Sequence, residues 1–283
     1  MGAATPETGR SWSWAGRWAL VALILTLILL PVSLRAAMLP LAAYALICCL
    51  VPFFPQWSWY LPVVSRGDRN VAAVAVTFDD GPDPRTTPAL LRLLERHAVK
   101  ATFFLLGRRA ARNPDLVTAI ITAGHTIGNH SYSHDSSLML RSAKRLADDI
   151  AATQELLAGH GIRPLAFRPP VGVTNPLLAS VVARLGMFTV NFSCRAYDLG
   201  NRRLSRMAAK LLGRVRPGDI LLLHDAAPPQ AEALSVWLSE VDQLLVGLAA
   251  KGLEVVPLAD LIGREVMGYS EAALRQQRGS KAR

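Results

Sequence analysis

Two charge-free stretches open the hydropathy pattern of this chain. Residues 18–34 carry no charged side chain, Arg35 interrupts, and residues 36–57 form a second uncharged run. Each approaches the roughly 20 apolar residues that a helix needs to cross a bilayer. The pair predicts two membrane helices. A single signal-anchor helix and a removed secretory signal are the competing readings. The length of the first run, the lack of a clear small-residue cleavage pattern before the second, and the second run itself favour two helices. Pro31, Pro40 and Pro52 fall in the runs, where membrane helices tolerate proline better than soluble ones do.

Beyond residue 66 the pattern changes to short apolar runs alternating with longer segments of helical period. Strands are predicted at 71–78, 101–106, 125–129, 166–168, 188–192, 219–223 and 253–256, and helices at 86–97, 114–123, 138–158, 175–185, 205–215 and 232–250. Strands that alternate with helices pair in parallel, and a barrel is one way to close such a sheet. The expected fold class is α/β, a distorted (β/α) barrel of about seven parallel strands preceded by two transmembrane helices. The expected organisation is a tail at 1–17, a membrane region at 18–57, an α/β domain at 66–263 and a basic tail at 264–283.

Charge adds a direction. The chain of 283 residues carries a formal net charge of +10, but its basic residues are scattered and not interleaved with aromatics as a base-stacking groove requires. No nucleic-acid partner is expected; the lipid bilayer is. Arg10 and Arg17 precede the first run and Arg66 and Arg69 follow the second, so the positive-inside rule places both ends, and with them the α/β domain, in the cytoplasm. A single crossing would put that domain outside. Trp57, Trp59 and Tyr60 suit an aromatic belt where the second helix leaves the bilayer. Cys48 and Cys49 lie in the second run and Cys194 stands alone, which implies no disulfide framework.

The residues with chemistry fall at the ends of the predicted strands, where the sites of such folds lie. Asp79 and Asp80 follow the first strand, His130 and His134 the third, Arg168 the fourth, Asp198 the fifth, and His224 and Asp225 the sixth. The "DDGP" at 79–82 reads either as a plain turn or as a metal-binding carboxylate beside a base. The two histidines four apart read either as a polar surface feature or as converging ligands. With one carboxylate from a neighbouring strand they would make a two-His, one-carboxylate site with open positions, a catalytic geometry. His97, His125 and His160 read as structural, and Met139, Met187 and Met207 as packing residues.

Four motifs in order, "TFDDGP" at 77–82, "HSYSH" at 130–134, "FRPPVG" at 167–172 and "LLLHD" at 221–225, resemble those of the polysaccharide deacetylase family, the NodB-homology carbohydrate esterases. The resemblance implies metal-dependent removal of an N-acyl group, usually N-acetyl, from an amino sugar. It implies Asp79 as general base, Asp80, His130 and His134 as ligands of a divalent metal, most readily Zn2+, and His224 as general acid. Arg168 would keep Asp79 ionised and in place. Asp198 would pair with either Arg168 or His224, and Asp225 would either orient the imidazole or merely end its strand. The amide of Val171, after Pro170, would donate to the oxyanion, and Leu222 would line the acyl pocket.

Two departures bear on substrate. Val171 and Leu199 stand where the family often has aromatics, which puts ordinary polymer binding in doubt. Together with the tether to a membrane region, this favours a lipid-linked amino sugar or glycolipid precursor, N-acetylated or N-formylated. The alternatives are an extracytoplasmic deacetylase of peptidoglycan or chitin-like polymer, and an inactive carbohydrate-binding relative. Protein partners are not indicated.

Overall fold

A computed structural model describes residues 12–270 and Ala273. The arginines and lysine of the basic tail at 275, 278, 281 and 283, and Arg10, lie outside the described residues. Helix α1 (Trp14–Leu29) begins at Ser13, whose side chain accepts from the Gly16 amide, and α2 follows at Leu34–Leu50. The expected break at Arg35 is corrected: the chain turns at residues 30–33, and Arg35 sits inside the first turn of α2. Pro31 is the physical reason, since it cannot donate to the helix ladder. The amides of Val32 and Ser33 both fold back onto the Leu29 carbonyl.

The two helices meet on small residues. Ala15, Ala22 and Ala37 are buried between otherwise exposed apolar side chains, and the Tyr44 hydroxyl donates to the Ala15 carbonyl at 3.2 Å. Small residues let backbones approach closely, the usual contact between helices in lipid. With a following 3-10 turn, α2 gives a 20-residue apolar helix over Leu34–Phe53. The 16 residues of α1 rise only about 24 Å. Its length alone falls short of a bilayer core of about 30 Å.

The domain that follows is built on one curled parallel sheet. Strand β1 (Val63–Val64) precedes β2 (Ala73–Asp79), α3 (Thr87–Arg96), β3 (Thr102–Leu105), α4 (Gly107–Arg112), α5 (Pro114–Thr122) and β4 (Thr126–Asn129). After α6 (Ala143–Gly159) come β5 (Ile162–Pro164), β6 (Ala166–Phe167), α7 (Leu178–Arg184), β7 (Phe188–Val190) and β8 (Cys194–Arg195). The chain ends through α8 (Met207–Leu212), β9 (Ile220–His224), α9 (Ala233–Ala250), β10 (Glu254–Val255), α10 (Leu258–Ile262) and β11 (Met267–Tyr269). The sheet runs in the order β1-β7-β6-β4-β3-β2-β9-β8, with β10 beside the start of β2.

All seven expected strands are present, and β2 is buried at every residue, as a central parallel strand must be. The barrel is distorted because its closure is minimal: an antiparallel bridge joins Arg66, just after β1, to Asp219, just before β9. β1 and β8 are additional two-residue strands of this sheet. β5 and β11 form a separate antiparallel pair, so β1 and β11 extend the packed domain past residues 66–263 on both sides.

Helix α9 is long and apolar enough to cross a membrane by composition, yet Trp237, Val241, Leu244, Leu245 and Leu248 are buried within the main core. It is a core helix of the domain. Trp237 is fully buried, so Trp237→Ala should cost about 3–5 kcal/mol. An unchanged urea midpoint would show that this helix does not anchor the core.

Candidate active site

Parallel register brings the chemistry together. Asp79, the last residue of β2, pairs with His224 at the end of β9 and with Phe104 in β3. β4 ends at Asn129, so His130 emerges beside them. In a regular strand Asp79 and Asp80 would point to opposite faces. Asp80 instead takes a left-handed conformation, φ 71°, and both carboxylates line one cavity of about 610 Å³. His134, with φ 51°, and Val171, with φ 53°, are held in the same uncommon region. Strained backbone of this kind collects at functional sites, where the surrounding structure must enforce it.

One side of the cavity is a buried ion pair. Arg168 is fully buried; its Nη1 donates to Asp79 Oδ1 at 2.6 Å and to Thr77 Oγ1 at 2.7 Å, and its Nη2 donates to the Asn191 carbonyl at 3.1 Å. The guanidinium also lies 3.9 Å from the Phe104 ring centroid. Burial lowers the Arg168 pKa and the Asp79 charge opposes that fall; a guanidinium so placed remains charged. Asp79 Oδ1 is thereby occupied, while Oδ2 lies 3.8 Å from His130 Nε2.

At the centre, ligand atoms of Asp80, His130 and His134 all lie within 4.8 Å of one another. Three observations fit this cluster to a divalent cation. Asp80 Oδ1 is buried without a hydrogen-bond partner. It faces His134 Nε2 at 3.2 Å and His130 Nε2 at 3.6 Å. His130 Nδ1 lies 2.7 Å from the Arg168 carbonyl, a bond in which only the ring can donate, so the Nε2 lone pair is directed to the cluster. Burial lowers the His134 pKa against the pull of Asp80, favouring the neutral imidazole that a ligand requires.

The opposite side carries His224, whose Nδ1 is 2.9 Å from Asp198 Oδ2. Of the two expected partners for Asp198, the structure therefore selects His224 and not Arg168. Burial disfavours the charged ring, but the hydrogen bond and charge of Asp198, with Asp80 and Asp79 beyond, raise its pKa to about 9. Asp225 does not orient the imidazole. Its carboxylate accepts from the Thr86 and Thr87 hydroxyls at 2.6 Å each and fastens the loop after β2. Burial, opposed by those hydroxyls, pushes it up to about 7. A Cβ at Gly81 would come within 2.5 Å of this carboxylate, so the glycine of "DDGP" is needed for close approach.

Leu222 and the exposed Val171 line the cavity; Pro170 is buried in the turn behind Val171. Two contributors went unnoticed in the sequence. Tyr197 presents an exposed aromatic face to the cavity two residues before Leu199. Asn201 ties the loop carrying Asp198 to β9, donating to the carbonyls of His224 at 2.8 Å and Ala226 at 2.7 Å. Tyr197 was readable as the aromatic of "RAYDLG", whereas an asparagine whose side chain bonds only main chain leaves no pattern. His125, by contrast, is structural: it is buried, its Nδ1 accepts from the Ala101 amide, and burial with Lys100 nearby takes its pKa to about 4.

Comparison with known proteins identifies the family. The family model described as polysaccharide deacetylase matches residues 66–190. A chitooligosaccharide deacetylase of Azorhizobium caulinodans is 32% identical over 204 residues, covering 69% of this chain and 96% of its own. The crystal structure of the peptidoglycan N-acetylglucosamine deacetylase Bc1960 is 32% identical with a TM-score of 0.67, covering 72% of this chain and 94% of that one. A mutant of BA3943, a CE4 family pseudoenzyme with restored enzymatic activity, is 25% identical with a TM-score of 0.63, covering 71% of each chain. Shared fold and near-complete coverage of a relative at this identity leave one assignment: the chain belongs to the polysaccharide deacetylase family.

Proposed function

We propose that the protein is a membrane-bound, metal-dependent hydrolase that removes an N-acetyl or N-formyl group from an amino sugar carried on a lipid-linked glycan or glycolipid precursor. The observation that carries the hydrolytic reading is the placement of Asp79–Arg168 and His224–Asp198 around the Asp80, His130 and His134 cluster in one cavity. Asp80, His130 and His134 would hold the ion, and two nitrogens with one carboxylate oxygen suit Zn2+ with a position left open. Such an ion supplies Lewis-acid polarisation of the amide carbonyl and acidifies water.

The side chains divide the remaining work. Asp79 Oδ2 takes the proton of the attacking water, while Arg168 holds Oδ1 and fixes the carboxylate plane. A C–O bond forms, the amide C–N bond breaks, and His224 gives its proton to the departing nitrogen, which leaves poorly without one. Asp198 accepts from Nδ1, so Nε2 of His224 is the donor toward the substrate. The Val171 amide donates to the oxyanion, and Leu222 receives the acyl methyl.

Position supports the lipid-linked substrate. The segment leaving α2 lies against the walls of the site: the Pro55 carbonyl accepts from Asn191 Nδ2 at 2.6 Å, and Gln56 Nε2 donates to the Ser193 carbonyl at 3.3 Å. Asn191 is the residue whose carbonyl steadies Arg168. A cavity seated at the end of an apolar helix meets sugars carried at the membrane surface. With two crossings, that surface is the cytoplasmic one. A second reading is favoured by the relatives, which are named for chitooligosaccharide and peptidoglycan: deacetylation of such a polymer outside the cytoplasm.

The test is acyl release by the full-length protein in detergent with zinc, comparing polyprenyl-linked N-acyl amino sugars with N-acetylglucosamine oligomers. Release from the lipid-linked set alone supports the first reading, and release from oligomers alone supports the second. Chelation should abolish release and zinc restore it. His134→Ala should weaken zinc binding by more than the roughly 10–100-fold typical of losing an outer hydrogen-bond partner of a ligand. Zinc affinity unchanged in that variant would remove His134 from the ligand set.

A further inference from the structure

Beside the catalytic cavity lies a larger one, about 710 Å³, walled on one side by the segment that leaves α2 and on the other by the domain. Five arginines line it: Arg66, Arg69, Arg195, Arg214 and Arg216. Its carboxylate, Asp219, is already engaged, by Arg66 at 3.0 Å, by the Ser193 hydroxyl at 2.7 Å and by the Arg216 amide at 2.8 Å. Among the described residues, Arg69, Arg195, Arg214 and Arg216 have no carboxylate at ion-pair distance. Gathering like charges around one hollow is unfavourable unless an anion fills it, and the same field concentrates anions there.

The two cavities share a wall. Phe192, Arg195 and Tyr197 line both. The Arg195 guanidinium stacks 4.2 Å from the Tyr197 ring centroid, and Arg214 approaches the same ring at 5.7 Å. Stacking holds the face of a guanidinium and leaves its N–H edge for hydrogen bonding, the fork that matches phosphate oxygens. On the far wall, Phe53 and Trp57 remain exposed at the end of the apolar helix, where a bilayer surface would lie.

We propose that this arginine-lined cavity binds the phosphate or diphosphate that joins the amino sugar to its lipid. The sugar then enters the Asp79–His224 cavity past Tyr197, and the lipid runs toward α2. This rests on the lipid-linked reading above and gives it a recognition element: an anion next to the sugar, which neutral polymers lack.

The test uses full-length, zinc-loaded protein in phosphatidylcholine nanodiscs and the double variant Arg214→Gln/Arg216→Gln. Substrates are polyprenyl diphosphate-linked N-acetylglucosamine, a water-soluble N-acetylglucosaminyl diphosphate and neutral N-acetylglucosamine oligomers; inorganic pyrophosphate, titrated into the chelator-treated, zinc-free protein so that it cannot ligate the metal, is the binding probe. The variant should raise KM for both diphosphate substrates by about 10–100-fold, leave kcat and the oligomer kinetics unchanged, and lose pyrophosphate binding. A lower wild-type KM for the polyprenyl than for the soluble diphosphate identifies the lipid-borne group as the source; equal values overturn that part and leave a site for free diphosphates. Equal effects on all substrates, or pyrophosphate binding that survives in the variant, overturn the site itself. Should the wild type ignore the polyprenyl substrate yet bind pyrophosphate through these arginines, the lipid-linked reading fails and the anion site stands.

Discussion

Asp79→Asn is expected to lower kcat/KM for acyl release by about 10²–10⁴-fold while zinc affinity stays near that of the wild type. The ligand cluster does not include Asp79, so the metal should remain; what is lost is the acceptor for the water proton. The same change removes the counter-charge of a fully buried guanidinium. Leaving one member of such a pair alone typically costs about 3–5 kcal/mol, softened here because Arg168 keeps its bonds to Thr77 and Asn191. Urea denaturation will measure the stability loss, and the double variant Asp79→Asn/Arg168→Met separates the two effects. It should regain much of the stability and none of the activity. Activity of Asp79→Asn within tenfold of wild type would exclude this carboxylate as the base.

The main frame of the molecule was legible because its signals are strong and local. An apolar run such as that of β2, ending in two carboxylates and a turn, announces a buried strand with chemistry at its C-terminal end, and six more such runs followed in parallel order. The elements that escaped are short: strands of two or three residues, and the helices α4 and α10 of six and five residues. β1 and β8 exist because neighbouring strands offer them a ladder, and no periodicity can show in so short a run. The turn between α1 and α2 falls before Arg35 because the missing amide of Pro31, and not the charge, ends the helix.

The same division holds within the site. His130 and His134 announce themselves by spacing, but which group Asp198 serves depends on where a loop folds back. That loop is set by Asn201 and by left-handed residues at Tyr197, Leu199 and Asn201. Asp225, next to the proposed acid in sequence, proved to belong to the threonines of the opposite loop. Adjacent residues at a strand end point to different faces unless a left-handed residue turns one back, as at Asp80, so sequence neighbours there are poor guides to function. The arginine-lined cavity was invisible for a related reason. Its charges come from the segments at 66–69, 195 and 214–216, which read as scattered until the fold assembles them.

The second large effect is expected at the alkaline limb of the pH profile. His224 is protonated up to about pH 9 because Asp198, then Asp80 and Asp79, outweigh the burial that disfavours its charge. Its folded pKa lies above the ordinary value near 6.5. The stability from this pairing is therefore complete below about pH 6.5 and is lost as pH rises through about 9. As the proton donor, His224 should sustain turnover up to the pH at which it loses its proton in the metal-loaded enzyme. A cation at the Asp80 cluster cancels the attraction of that carboxylate, so the limb of the metal-loaded enzyme falls below the metal-free value. In Asp198→Asn the largest favourable contribution disappears while burial remains. The alkaline limb should move to lower pH, and turnover above it should drop toward the roughly 10²–10⁴-fold deficit of an enzyme without its acid. The comparison is kcat against pH for wild type, Asp198→Asn and His224→Ala, with the last showing no alkaline limb. A limb that stays in place in Asp198→Asn would mean that the carboxylate positions the ring without governing its proton; a limb that persists in His224→Ala would assign the acid to another group.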